Sequence, residues 1–106
     1  MPETEDAFAC ICKALADPMR FGLLSRIARA EVGAGEVGCK VLVAEFPVSQ
    51  ATISHHLKEL QRAGLIESRM DGPCLFLRPN VERLRGFCAD LRERLALDVD
   101  AGRLGV

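Results

Sequence analysis

A mainly α-helical domain carrying one small β-hairpin is predicted by three features of this 106-residue chain. The first is Val48 to Ile66, VSQATISHHLKELQRAGLI, which reads as one short helix with a defined start and stop. The second is a pair of strand-like runs directly after it, Leu65 to Met70 and Cys74 to Arg78, separated by the turn signal Asp71-Gly72-Pro73. The third is a terminal segment in which Val81, Leu84, Cys88, Leu91 and Leu95 recur at alternating heptad spacings, an apolar seam along a last helix.

The Val48–Ile66 segment carries the most information. Ser49 is suited to the N-cap and Gly64 to a left-handed stop, while Ile53, Leu57 and Leu60 mark a single buried face. The opposite face is unusual for a solvated helix, which would carry Glu and Lys pairs. Gln50, Ala51, Thr52, Ser54 and His55 are short or hydrogen-bonding groups that can approach base edges, and Lys58 and Arg62 follow where phosphates would lie. Upstream, Lys40 to Phe46 is a short apolar segment with Leu42 and Phe46 on one face, closed by Pro47-Val48. Two short helices joined by a tight turn form a helix-turn-helix, and the hairpin behind it is a wing, with Arg69 and Arg78 as further phosphate contacts.

The remaining elements follow in order. Thr4 can cap a first helix whose first turn carries Glu5 and Asp6. Asp17-Pro18 starts a second helix, Asp as N-cap and Pro at the first helical position, running to about Ala30 with Phe21, Leu24 and Ile27 inward. Val32-Gly33-Ala34-Gly35 is a loop. The helix-turn-helix occupies 38–64, the wing 65–78 and the last helix 81–97, so that 1–97 is one domain and 98–106 a flexible tail. Arg83, Arg85, Arg92 and Arg94 lie off the apolar seam of the last helix. That seam packs either on the first helix of its own chain or across a homodimer.

The two segments Lys13-Ala14-Leu15-Ala16-Asp17-Pro18-Met19-Arg20 and Ser49 to Ile66, at this separation, resemble the ArsR/SmtB family of bacterial winged-helix repressors. With the wing, the resemblance covers roughly residues 11 to 80; Pro47 departs from it, standing where such turns often have Gly. It implies a winged helix-turn-helix repressor, a double-stranded operator as partner, and a homodimer through the first and last helices. The interface would then be built from Phe8, Cys12, Leu15, Leu84, Cys88, Leu91 and Leu95. Two-fold readers of this kind span half-sites about one helical turn apart.

Composition bounds the alternatives. Apolar residues make up 49% of the chain, enough for a folded core, yet with no Trp or Tyr the core must come from aliphatic side chains and five Phe. No apolar run approaches the roughly 20 residues of a membrane helix, and the acidic N-terminus is neither signal nor transit peptide, so a cytoplasmic protein is expected. Net charge is −1. From Ser49 to Arg69, Lys58, Arg62 and Arg69 outweigh Glu59 and Glu67 by a single charge. DNA binding therefore stands on motif and geometry, and non-specific affinity should be low and easily lost with salt. P-loop, Rossmann, G-x-S-x-G and HExxH patterns are all missing, so an enzyme is not expected. The rival is a winged-helix module for protein–protein interaction, which needs the fold but not the Ser54–His55 face.

Five Cys, an odd number without an export signal, point to reduced thiols. At about 100° per residue, Cys12 falls near Phe8 and Leu15 and is expected to be a small buried hydrophobe, whereas Cys10 lies on the far side; an intact helix cannot bring both to one metal. Cys88 lies on the last seam, Cys74 begins a wing strand, and Cys39 starts the first helix-turn-helix helix, where a helix N-terminus favours thiolate. His55 and His56 diverge too far to chelate one ion; His55 is expected to face DNA and His56 to pack beside the wing. The resemblance adds a sensor: some arsenic- and cadmium-responsive relatives bind the ion with thiolates from the N-terminal region and from this helix. Cys10, Cys12 and Cys39 are the matching candidates for As(III), Sb(III) or another thiophilic ion that releases the repressor from its operator. The usual Cys-Val-Cys pair is missing, and the last helix has no His for the zinc site many relatives build there. A thiol redox switch and an effector-less repressor are the alternatives, and no obligatory cofactor is expected.

Overall fold

The computed structural model describes residues 6–30 and 35–97. Its elements are α1 (Ala7–Ala14), α2 (Pro18–Ala30), β1 (Val37–Gly38), α3 (Cys39–Glu45), α4 (Gln50–Arg62), β2 (Ile66–Asp71), β3 (Cys74–Pro79) and α5 (Val81–Arg94). α3 and α4 form the expected helix-turn-helix, and the β2–β3 hairpin the expected wing.

α1 is capped by Asp6, whose Oδ1 accepts the Ala9 N–H at 2.7 Å, and not by Thr4. Thr4, Glu5, the loop residues Val32 to Ala34 and the expected tail lie outside the described residues. α1 buries Ile11 and Ala14, with Cys10 and Leu15 packed at the edge of the core. Cys12 is exposed, correcting its expected burial. The Phe8–Cys12 stripe is not the stripe that meets the core; Phe8 instead stacks on Phe87 of α5 at 5.1 Å. In α2, Asp17 caps as expected, accepting the N–H groups of Met19 and Arg20. Its inward face is Leu23, Leu24 and Ile27; Leu24 and Ile27 are buried as expected, while Phe21 is 53% exposed and Leu23 takes the place in the core expected for Phe21.

The sheet is antiparallel in the order β1-β3-β2, so the hairpin gains a third strand that sequence reading missed. β1 is two residues long and pairs Val37 with Leu77 and Gly38 with Phe76; too short to show an alternating pattern, it left no legible signal. Within the hairpin, Ile66 pairs with Pro79 and Glu67 with Arg78. The alternation sends Ile66, Leu77 and Pro79 inward and Glu67 and Arg78 to solvent.

α5 starts from an Asn80 cap and stops at Arg94, three residues before the expected end, with Ala96 in the left-handed region at φ 55°. Leu84 and Phe87 pack against the core, whereas Cys88 and Leu95 of the expected seam are exposed. No residue of α5 is fully buried in the single chain.

Candidate nucleic-acid interface

α4 is seated by its own sequence. Ser49 Oγ accepts the Thr52 N–H at 3.2 Å and donates to Thr52 Oγ1 at 3.0 Å, a cap that contributes about 1 kcal/mol. Thr52 is thereby engaged at the cap and half-buried, which sets it apart from the other expected base readers. At the far end Gly64 takes φ 78°, the left-handed stop its position requires. Ile53, Leu57 and Leu60 are buried as expected, each contributing roughly 1.5–3 kcal/mol of apolar burial. His56 is buried too, but its Nδ1 accepts from Arg20 Nε at 3.2 Å on α2, correcting the expectation that it packs beside the wing.

Gln50, Ala51, Ser54, His55 and Lys58 all remain exposed, as a reading face requires. Gln50 and Ser54 open onto an apolar cleft of about 640 Å³ between α3 and the wing, walled by Val41, Cys39, Cys74 and Phe76. On the other side, Gln61 Nε2 donates to Ser68 Oγ at 2.8 Å and ties the end of α4 to β2. Neither Gln61 nor Ser68 stood out in the sequence, because a bond between a helix and the strand after it depends on the turn at Gly64.

The cations of the wing are already partnered. Arg69 donates from Nε to both Glu36 carboxylate oxygens, at 2.9 and 3.2 Å, and its guanidinium lies 4.7 Å from the centre of the Phe76 ring. This pairing holds the Glu36 carboxyl below the usual carboxylate range and pushes the Arg69 guanidinium up. Arg78 Nε donates to Glu67 at 2.9 Å across the hairpin, and Arg62 pairs with Glu59 at 3.3 Å. Three of the four expected phosphate-contacting cations thus sit against carboxylates, and Lys58 is the exposed member of the set with no carboxylate within ion-pair distance among the described residues.

The thiols are dispersed. Cys10 is half-buried beside Lys13, Arg20 and Glu59, Cys12 is exposed, and Cys39 opens the cleft below α3. Among the described residues no group of three His, Cys, Asp or Glu side chains converges as a metal site. Burial pushes the Cys39 thiol up, the reverse of the expected thiolate stabilisation. α3 is a single short helix of seven residues, and loss of water at its first residue outweighs its small dipole.

Helix, turn, exposed helix and hairpin in this order define a winged helix-turn-helix regulatory domain. Residues 15–69 match the profile of a family described as "Helix-turn-helix domain". A helix-turn-helix-type transcriptional regulator of Methanocaldococcus jannaschii is 40% identical over 70 residues, covering 66% of this chain and 74% of that protein. Among solved structures, an ArsR-like transcriptional regulator from Rhodococcus sp. RHA1 aligns with a TM-score of 0.71 at 29% identity, over 87% of this chain and 81% of that one. A structure described as a possible transcriptional regulator for arsenical resistance aligns with a TM-score of 0.60 at 29% identity, over 83% and 94%. The chain belongs to the helix-turn-helix family of transcriptional regulators, in its ArsR/SmtB branch. It is accordingly a DNA-binding regulator, and its relatives are regulators and not enzymes. Among the described residues no helix is long and apolar enough to cross a membrane.

Proposed function

We propose that the chain is a sequence-specific repressor that reads operator DNA as a homodimer, with α4 in the major groove. The observation that carries base reading is the exposed row Gln50, Ala51, Ser54, His55 and Lys58 on a helix whose other face is wholly committed to the core. Support for a dimer through α1 and α5 comes from α5 itself. It buries no residue in the single chain, while Leu84, Phe87 and Leu91 are half-covered and Leu95 and Leu97 are 58% and 56% exposed. A second copy laid against that face would remove this apolar surface from water.

For the effector we propose a thiophilic ion, As(III) or Sb(III), that favours a dimer arrangement with the wrong half-site spacing. Cys10, Cys12 and Cys39 do not meet within one described chain, so such a site has to draw thiols from both subunits or from an unwound start of α1. Of these three, Cys39 lines the cleft onto which Gln50 and Ser54 open. The test is arsenite titrated into a protein–duplex complex under reducing conditions. Release by wild type but not by Cys39→Ser, with DNA binding retained, is expected. Release that persists in Cys39→Ser, or that needs an added oxidant, overturns this effector.

A further inference from the structure

We propose that Arg20, a residue of α2 outside the helix-turn-helix, is a positioning residue for base reading that acts through His56 on the underside of α4. The inference rests on α4 being the base-reading helix, as proposed above.

His56 is the buried polar side chain of the described residues, at 7% exposure. It lies among the residues that seat α4, and its polar partner is a charged side chain. Arg20 Nε donates to its Nδ1 at 3.2 Å. Because arginine is always a donor, His56 presents a lone pair at Nδ1 in this bond. The same guanidinium donates from NH1 to the Ala14 carbonyl at 3.3 Å, at the end of α1. The Arg20 backbone N–H is held in turn by the Asp17 cap at 3.1 Å, a contact that also keeps the Asp17 carboxyl below its usual range. Arg20 is thus fixed in α2, braced on α1, and extends its rigid fork to a single atom of α4.

That placement supplies what the apolar contacts lack. Burial of Ile53, Leu57 and Leu60 holds α4 against the core but has no direction, so it resists separation more than rotation about the helix axis. A directional bond to His56 resists rotation. His56 adjoins His55, their ring centroids 5.5 Å apart, so the two histidines form a link between anchor and reading face. A rotation of about 15° moves a tip about 6 Å from the axis by about 1.5 Å, enough to break short hydrogen bonds from Ser54 or His55 to base edges. The long stem of Lys58 follows a phosphate through the same movement. Loss of the Arg20–His56 bond should therefore cost discrimination between sequences and leave general DNA affinity in place.

The probes are a duplex selected by the wild-type protein from a random-sequence library and a scrambled duplex of the same composition. Arg20→Met and His56→Leu remove the bond from opposite sides, while His56→Gln keeps an acceptor for Arg20. Expected for both removals is about tenfold weaker binding to the selected duplex, with affinity for the scrambled duplex and the salt slope unchanged. His56→Gln should stay within about threefold of wild type, and long-range nitrogen spectra of wild type should show His56 Nδ1 unprotonated. Arg20→Met and His56→Leu binding the selected duplex as well as wild type would overturn the proposal. So would equal losses on both duplexes, or a shallower salt slope, which would make Arg20 a structural or phosphate contact. Should Arg20→Met fail to fold, the contrast between His56→Leu and His56→Gln decides alone. A wild-type protein that selects no consensus sinks the base-reading assignment itself, and this inference with it.

Discussion

Replacing Glu36 by Gln should turn the wing of this protein into a stronger and more salt-sensitive DNA contact. In the wild type the Arg69 guanidinium is held by both oxygens of Glu36 and rests on Phe76, so its charge is neutralised before DNA arrives. The amide keeps the size of the side chain and one acceptor but removes the charge, leaving Arg69 available to a phosphate. Each phosphate neutralised steepens the fall of log K with log salt by about 0.9. Between about 50 and 200 mM salt, one added contact is therefore a factor of about 3.5 in affinity, and one from each subunit of a dimer about twelvefold. Glu36→Gln should bind more tightly than wild type at the lower salt, lose most of that gain at the higher, and discriminate between sequences as before. Fluorescence anisotropy with a labelled duplex across a salt series measures this directly. The pH behaviour follows from the depressed Glu36 carboxyl. Its pairing with Arg69 is fully present above the ordinary glutamate range and is lost only as pH falls through the lower folded value. The difference between variant and wild type should thus stay constant from about pH 6 to pH 8. An unchanged salt slope would refute the reasoning by showing that Arg69 meets no phosphate even when released, and a shallower one would mean that Glu36 aims Arg69 at DNA.

Ser54→Ala and His55→Ala should each weaken binding to a selected duplex by about 1–3 kcal/mol without changing the melting temperature, and a gel shift unchanged in His55→Ala would misplace the reading face. Gly64→Ala should destabilise the fold by about 1–3 kcal/mol in urea unfolding, because φ is 78° there and a Cβ would stand 2.8 Å from Arg83 Nε. Leu91→Glu, on the half-covered face of α5, should give a monomer by light scattering where wild type is a dimer, and a wild-type monomer at micromolar concentration would remove the two-fold argument.

What could be read from the sequence was whatever local chemistry decides. The Ser49 cap, the Ile53–Leu57–Leu60 face and the Gly64 stop lie within one helix, and the structure has each where its residue type demands. The Asp17-Pro18 start of α2 is equally local. The misses came from long-range partners. Periodicity placed Leu24 and Ile27 of α2 inward as they are, but whether Phe21 or Leu23 completes that face depends on what covers α2. Cys12 and Cys88 fit apolar stripes on paper, but both are exposed among the described residues of the single chain. Arg69 looked like a phosphate contact because its partner, Glu36, is distant in sequence and comes alongside only when β1 pairs with β3. His56 likewise found its partner thirty-six residues upstream, in the other of the two segments that carry the family resemblance.

That last pairing joins the two separated segments. Asp17 caps α2 and holds the Arg20 backbone; Arg20 reaches back to α1 and forward to His56; His56 sits beside the proposed reading residue His55. Charge works in the same direction. With a net charge of −1 and its wing arginines facing Glu36 and Glu67, the protein gains little from the general attraction of cations to DNA. On the proposed reading, most of its affinity must then come from hydrogen bonds to base edges, which are short, directional and intolerant of a turned helix. A regulator built this way has weak non-specific binding as its baseline, and small changes in the angle of α4 or in the spacing of its two copies become large changes in occupancy. An effector needs to supply no more than that angle or that spacing to act.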